Sequence, residues 1–173
     1  VYLTEFGYQT NPPDPTWEVT PEEQSRWLAE AERIARADPR VRSIAHFLHR
    51  DLPEREGETP RERWRDYQTG LLFIDGTPKP ARAAFALPLV ARVTAGGRVD
   101  LWGLVRPGSG ERPWRLLMRP SGDGPWRELA TGTTAPDGTL ATTTAAADPD
   151  ATFLLQAQAD GRRRIGAPVD GAR

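Results

Sequence analysis

The sequence predicts an α/β part over residues 1–90, followed by an all-β accessory domain over residues 97–170. The first observation behind this division is that strand-like and helix-like segments alternate up to about residue 90. The second is that the later strand candidates are short and are separated by Gly- and Pro-containing turns roughly every ten residues. The length of 173 residues suits one large domain or two small ones.

The α/β part opens with a short apolar run, Val1–Phe6, which predicts a strand. Thr20, Pro21 and Glu23 then have the spacing of a capping box with proline at the first helical position. The helix that they begin is expected to reach about Ala37, because Pro39 follows. Its predicted apolar stripe consists of Trp27, Leu28, Ala31, Ile34 and Ala35.

A second strand is predicted over Val41–Leu48, and a long polar loop follows it. The stretch 67–80 predicts a hairpin or extended segment that turns at Asp75–Gly76, and a short helix ends before Pro88. Strands that alternate with helices form parallel sheets, which are buried on both faces and need neighbouring strands. We therefore expect residues 1–90 to be the end of a larger fold.

The all-β part is predicted to be an immunoglobulin-like or fibronectin-like β-sandwich. Its short strand candidates are separated by turn signals at regular intervals, which is typical of this fold. The predicted core consists of Leu101, Leu104, Trp114, Leu116, Leu129, Leu140, Phe153 and Leu155.

Composition excludes several classes of function. The net charge of −1 argues against a general binder of nucleic acid or anionic membranes, and no apolar run is long enough to predict a membrane span. The chain contains no cysteine, which rules out disulfides and thiolate metal sites. The basic run Arg162–Arg164 follows a hairpin signal at Asp160–Gly161, so we expect a solvated strand edge there.

Glu5 is the main candidate for chemistry, because it ends an apolar strand where a carboxylate is costly unless it is solvated or paired. Side chains at the carboxyl ends of the strands of a β/α barrel face its active site. Retaining glycosidases place two carboxylates about 5 Å apart, one as the nucleophile and the other as the acid/base. A structural carboxylate that caps a loop or pairs with an arginine is the alternative.

The stretches "YLTEFGY", "HFLHRD" and "YQTGLLFIDGTPKPARAAF" resemble, in this order, the last two β/α units of a clan A retaining glycoside hydrolase, a (β/α)8 barrel. The resemblance covers residues 1–90 and implies that Glu5 is the nucleophile. It also implies that the acid/base glutamate lies upstream, so we expect the chain to be an inactive C-terminal fragment whose partner is the N-terminal remainder of the barrel. A carbohydrate substrate, no cofactor and secretion are further implications.

The remaining site predictions surround Glu5 on the expected substrate side. The resemblance places His46, next to Phe47, where such enzymes often have a tryptophan under the sugar. Tyr8 is predicted at the active-site rim or in loop packing, Asp51 as a sugar ligand or a turn cap, and Trp64 as a stacking ring or loop packing.

His46 and His49 are an odd number of residues apart on a strand, which argues against a metal site formed by the two. No metal ligand set is predicted elsewhere in the sequence. The alternative function is a non-catalytic carbohydrate-binding or adhesion module with a degenerate barrel.

Overall fold

The computed structural model describes residues 1–94, 96–106, 110–121, 124–145, 148 and 150–171. The chain divides into two compact units, Val1–Phe85 and Ala86–Arg173. The described residues are rich in β-structure, with 37% in strands and 17% in helices. Their strands form sheets of two, three and five strands.

The first unit contains two strands and a long helix between them. Its elements are β1 (Tyr2–Phe6), α1 (Pro21–Ala37), β2 (Ser43–His46), α2 (Pro60–Arg63) and α3 (Pro80–Ala86), the last ending one residue into the second unit. β1 and β2 pair in parallel, with Tyr2 beside Ser43 and Phe6 beside His46. The capping box predicted for α1 is present: the Glu23 amide donates to Thr20 Oγ1, and the Thr20 amide donates to the Glu23 carboxylate.

The predicted fold class is wrong, because no half of a (β/α)8 barrel is seen. The described sheet of the first unit has only β1 and β2, of five and four residues. The apolar stretch around Leu72 forms only isolated bridges, to Arg50 and to Pro78, and does not continue as a strand. The chain instead turns back at once, since the Gly76 amide donates to the Phe73 carbonyl and Gly76 adopts φ 90°.

The buried face of α1 also differs from the predicted stripe. Trp27 and Ile34 are 41% and 55% exposed, whereas polar side chains on the adjacent face are buried. The buried residues of α1 are Pro21, Gln24, Ser25, Leu28, Ala29, Glu32 and Ala35. The other apolar side chains border an open groove of about 390 Å³ between α1 and the strand pair, lined by residues that include Leu3, Phe6, Tyr8, Trp27, Ile34 and Ile44.

The interior of the first unit is largely polar. Its hydrophobic cluster consists of three buried residues, Leu28, Leu71 and Ala81, with Phe6, Tyr8 and Phe85 packed against them. Buried polar groups cost free energy unless they are hydrogen-bonded, so a network must satisfy them. The buried polar and charged residues of this unit are Thr10, Asp14, Gln24, Ser25, Glu32, Asp51, Gln68, Thr69 and Lys79.

The second unit is β-rich and contains two antiparallel sheets. Its strands are β3 (Leu89–Thr94), β4 (Arg98–Leu104), β5 (Pro113–Arg119), β6 (Arg127–Thr133), β7 (Thr139–Ala145), β8 (Thr152–Ala159), β9 (Arg162–Ile165) and β10 (Val169–Asp170). One sheet has the order β3-β4-β7. The other has the order β10-β8-β5-β6, with β9 also paired to β8.

The two sheets of the second unit contribute to one hydrophobic core, an arrangement compatible with a β-sandwich. Of the predicted core residues only Leu129 is not buried, and it packs against the core cluster. The sequence reading missed β3, because its residues directly follow the α3 segment and lack a turn signal before them. Leu89 and Ala91 are buried in this strand, so the all-β structure begins before residue 97.

Candidate functional site

Glu5 lies at the carboxyl end of β1, as the sequence predicts, and its side chain is exposed. Because β1 and β2 are parallel, both strands end at the same edge of the sheet. Phe6 is level with His46 there, and the Phe47 amide donates to the Phe6 carbonyl at 2.8 Å. No described residue forms a hydrogen bond or an ion pair with the Glu5 carboxylate, which therefore stays available to a ligand.

The backbone that follows Glu5 is packed tightly against the end of β2. A Cβ atom at Gly7 would lie 2.4 Å from the Phe47 carbonyl oxygen and 2.9 Å from Thr69 Cβ. The Thr69 hydroxyl also donates to the Phe47 carbonyl. Glycine at position 7 thus allows the chain after Glu5, the end of β2 and residue 69 to meet. This contact limits movement of the strand end that carries Glu5.

Two aromatic side chains, Phe47 and Tyr67, contact each other near this edge. The Phe47 ring lies edge-on to the Tyr67 ring at 5.1 Å, and Tyr67 is 50% exposed. Trp64 is half-buried and ends α2, where its amide donates to the Pro60 carbonyl. The structure thus pairs Phe47 with Tyr67, a loop aromatic that, like Trp64, the sequence leaves between sugar stacking and loop packing.

Tyr8 packs toward α1. Its ring lies 5.3 Å from Phe6 and 5.2 Å from Trp27, edge-on in both cases. Burial raises the pKa of the Tyr8 hydroxyl above its ordinary value. These contacts make Tyr8 part of the packing between β1 and α1.

His46 is half-buried at the end of β2, with its ring 5.9 Å from the Phe85 ring. Both ring nitrogens of His46 are buried. Burial lowers the pKa of His46, while the nearby backbone of Thr69 and Leu48 acts in the opposite direction. His49, by contrast, is exposed.

A buried ion pair connects the loops that follow β1 and β2. Lys79 Nζ donates to Asp51 Oδ1 at 2.8 Å, to Thr10 Oγ1 at 2.8 Å and to the Gln68 carbonyl at 3.1 Å. The side chains of Lys79 and Asp51 have no exposed surface. Asp51 Oδ1 also accepts from the Gly70 amide at 2.7 Å. We call these five residues the Lys79 cluster.

Burial raises the pKa of Asp51 and lowers the pKa of Lys79, while the contact between the two groups opposes both shifts. A carboxylate with no exposed surface does not reach a sugar hydroxyl directly. The structure thus places Asp51 among the groups that hold the loops together. Gly70 is essential to this packing, because a Cβ atom there would lie 2.4 Å from the Asp51 amide nitrogen.

Gln24 connects α1 to the same loops. Its Nε2 donates to the carbonyls of Tyr8 and Thr69, both at 3.0 Å. Gln24 lies in line with the predicted apolar stripe, three residues before Trp27 and four before Leu28, but sequence reasoning missed it because it is polar and has no motif of its own. Lys79 did carry a signal: it is the only lysine of a chain in which every other strongly basic side chain is arginine.

Other classes of site are not found in the part of the chain that the structure describes. No group of three or more His, Asp or Glu side chains there could hold a metal ion. None of the described helices combines the length and apolarity that crossing a bilayer requires. Comparison with known proteins gives no matching family model and no matching curated protein.

Proposed function

We propose that the chain supplies the nucleophilic carboxylate of a retaining glycoside hydrolase, and that Glu5 is this nucleophile. The observation that carries the proposal is the exposed, unpaired carboxylate at the shared carboxyl edge of β1 and β2. Phe47 follows the end of β2 at the same edge and contacts Tyr67, and aromatic rings of this kind pack on pyranose rings. The Lys79 cluster and Gly7 hold the backbone behind this edge in place.

The proposed reaction is a double displacement. A Glu5 oxygen attacks the anomeric carbon as the glycosidic bond breaks, and a carboxylic acid outside residues 1–173 gives its proton to the leaving oxygen. The same group, now a carboxylate, takes a proton from water. The water oxygen then attacks the anomeric carbon and releases Glu5.

The second unit is proposed to be an accessory β-sandwich. Its support is that residues from both sheets, such as Leu101 of β4 and Leu155 of β8, belong to a single buried core. In β4, Val99 and Leu101 are buried in this core, while their neighbours Arg98 and Asp100 are exposed.

The proposal is tested by covalent trapping with 2-deoxy-2-fluoroglycosyl fluorides of the gluco, galacto, manno and xylo series. Fluoride leaves without protonation, so the first displacement requires Glu5 but no acid/base group. We expect intact-mass spectrometry to show one added glycosyl group, which peptide mapping places on Glu5. Glu5→Gln should abolish the adduct.

Glu18→Gln is the matched control, because Glu18 is an exposed glutamate of the same unit. It should keep the full adduct. The proposal fails if the wild-type chain forms no adduct with any of the four sugars, or if the label persists in Glu5→Gln.

A further inference from the structure

The five-stranded sheet of the second unit carries a second candidate site. Its lining contains more polar side chains than the groove between α1 and the β1–β2 pair does. A pocket of about 590 Å³ opens on this sheet and is lined by residues of β5, β6, β8 and β9. Its polar side chains are Arg115, Thr131, Thr133, Gln156, Gln158 and Arg163. We call it the sheet pocket.

The register of the strands explains why these side chains meet. In β5, Trp114 and Leu116 are buried in the core, so Arg115 between them points to the opposite face. Arg115 pairs with Thr131 on one side and with Gln156 on the other. In the same way, Gln158 of β8 pairs with Arg163 of β9. The polar side chains thus form neighbouring rows on one face of the sheet.

The charge of the sheet pocket is positive. Arg115 and Arg163 are the charged residues that line it, and no carboxylate is among its lining residues. Arg115 Nε donates to Gln156 Oε1 at 3.0 Å, which orients the guanidinium, and its Nη1 lies 3.9 Å from the exposed carboxylate of Glu128. No described residue forms a hydrogen bond or an ion pair with Arg163, so all its donors remain available.

We propose that the sheet pocket binds a saccharide that bears a carboxylate, such as a uronic acid unit. A guanidinium can bind both oxygens of a carboxylate with parallel hydrogen bonds, which gives Arg163 its role. Thr131, Thr133 and Gln158 carry the hydroxyl and amide groups that exchange hydrogen bonds with sugar hydroxyls. The charge of the pocket favours this acidic sugar over a neutral one.

The test is calorimetric titration of the 173-residue chain with an oligogalacturonate, beside a neutral galactose oligomer of equal length. We expect the acidic oligomer to bind and the neutral one to bind at least tenfold more weakly, roughly the effect of losing one charge-assisted hydrogen bond. Arg163→Gln should weaken binding of the acidic oligomer by a similar factor of about ten.

Arg162→Gln is the matched control, because Arg162 is the exposed neighbour whose position in β9 alternates to the other face and does not line the pocket. It removes the same charge and should leave the affinity unchanged. Circular dichroism should show that both variants keep the strand content of the wild type. Glu5→Gln should also bind normally, so failure of the glycosidase proposal leaves this test intact.

The proposal is overturned if the wild type does not bind the acidic oligomer, or if Arg162→Gln weakens binding as much as Arg163→Gln. Equal affinity for the neutral oligomer would also overturn it. Poly-glutamate is the final probe: binding as tight as that of the acidic saccharide would identify a general polyanion surface and reject a saccharide site.

Discussion

At the scale of single residues, Lys79 has the most unusual environment in the first unit. Its ammonium is fully buried and is satisfied by one carboxylate, one hydroxyl and one carbonyl. The partners come from positions 10, 51 and 68, so one side chain connects three loops. Replacing a buried pair with apolar residues can be neutral, but removing one partner leaves the other charge uncompensated.

Lys79→Met should therefore lower the free energy of unfolding by about 3–5 kcal/mol, because Asp51 is left buried without its counter-ion. The double variant Lys79→Met/Asp51→Asn should lose less, since no lone charge remains. Urea unfolding followed by circular dichroism measures both. Arg82→Met, an exposed position in α3, is the control and should change stability by no more than about 0.5 kcal/mol. A loss in Arg82→Met equal to that in Lys79→Met would contradict the argument.

At the scale of elements, α1 owes its start to local signals and its orientation to polar contacts. The capping box at Thr20 and Glu23 satisfies amides at the first turn, whereas Gln24, one residue later, connects the helix to the carbonyls of Tyr8 and Thr69. The helix therefore turns its Gln24 face inward and leaves Trp27 exposed. Leu28 and Ala35 of the predicted apolar stripe are buried on the same side as Gln24.

Thr20→Ala should cost about 1 kcal/mol of stability, because it removes the acceptor of the Glu23 amide from a helix that buries one face. α2 provides the comparison, since Thr59 forms the same capping box on a helix of four residues with none buried. Thr59→Ala should cost clearly less. Thermal and urea unfolding of the two variants measure the difference, and equal losses would show that the caps act independently of tertiary packing.

At the scale of the whole molecule, the two units differ in how they are stabilised. The first has a small apolar cluster and a buried polar network. The second has a continuous apolar core that residues of both sheets share, with Phe153 and Leu155 fully buried. A closely packed apolar core has little free space, so added side-chain volume must displace its neighbours. The stability of the second unit should therefore fall when a core position is enlarged.

Gly132→Ala tests this sensitivity. An added Cβ atom would lie 2.7 and 2.9 Å from two carbons of the Trp114 indole, which is buried in the core. We expect a loss of about 1–3 kcal/mol, because the indole must move in a packed interior. Gly124→Ala is the control, since its nearest atom, Pro120 Cδ, is 3.7 Å away. Hydrogen exchange should rise in residues 86–173 for Gly132→Ala only, and faster exchange confined to residues 1–85 would contradict the assignment.

Local sequence signals accounted for much of the secondary structure. The cap of α1, the turn at Asp75–Gly76, most of the short strands of the second unit and the position of Glu5 at a strand end were all predictable. Each of these depends on residues a few positions apart, whose backbone hydrogen bonds or side-chain direction follow from spacing. The fold class could not be predicted from such local signals, because the number of strands that join a sheet depends on contacts between distant parts of the chain.

By itself, the sequence determined where β1 and α1 form and where most strands of the second unit lie, and it identified Glu5 as a carboxylate at the end of an apolar strand. Only the tertiary structure decided which groups meet. Lys79 contacts Thr10 across 69 positions and Asp51 across 28, and Arg115 meets Gln156 across 41. Such contacts follow from the packing of whole elements. Packing free energy is summed over many weak contacts, which no short pattern of residues encodes.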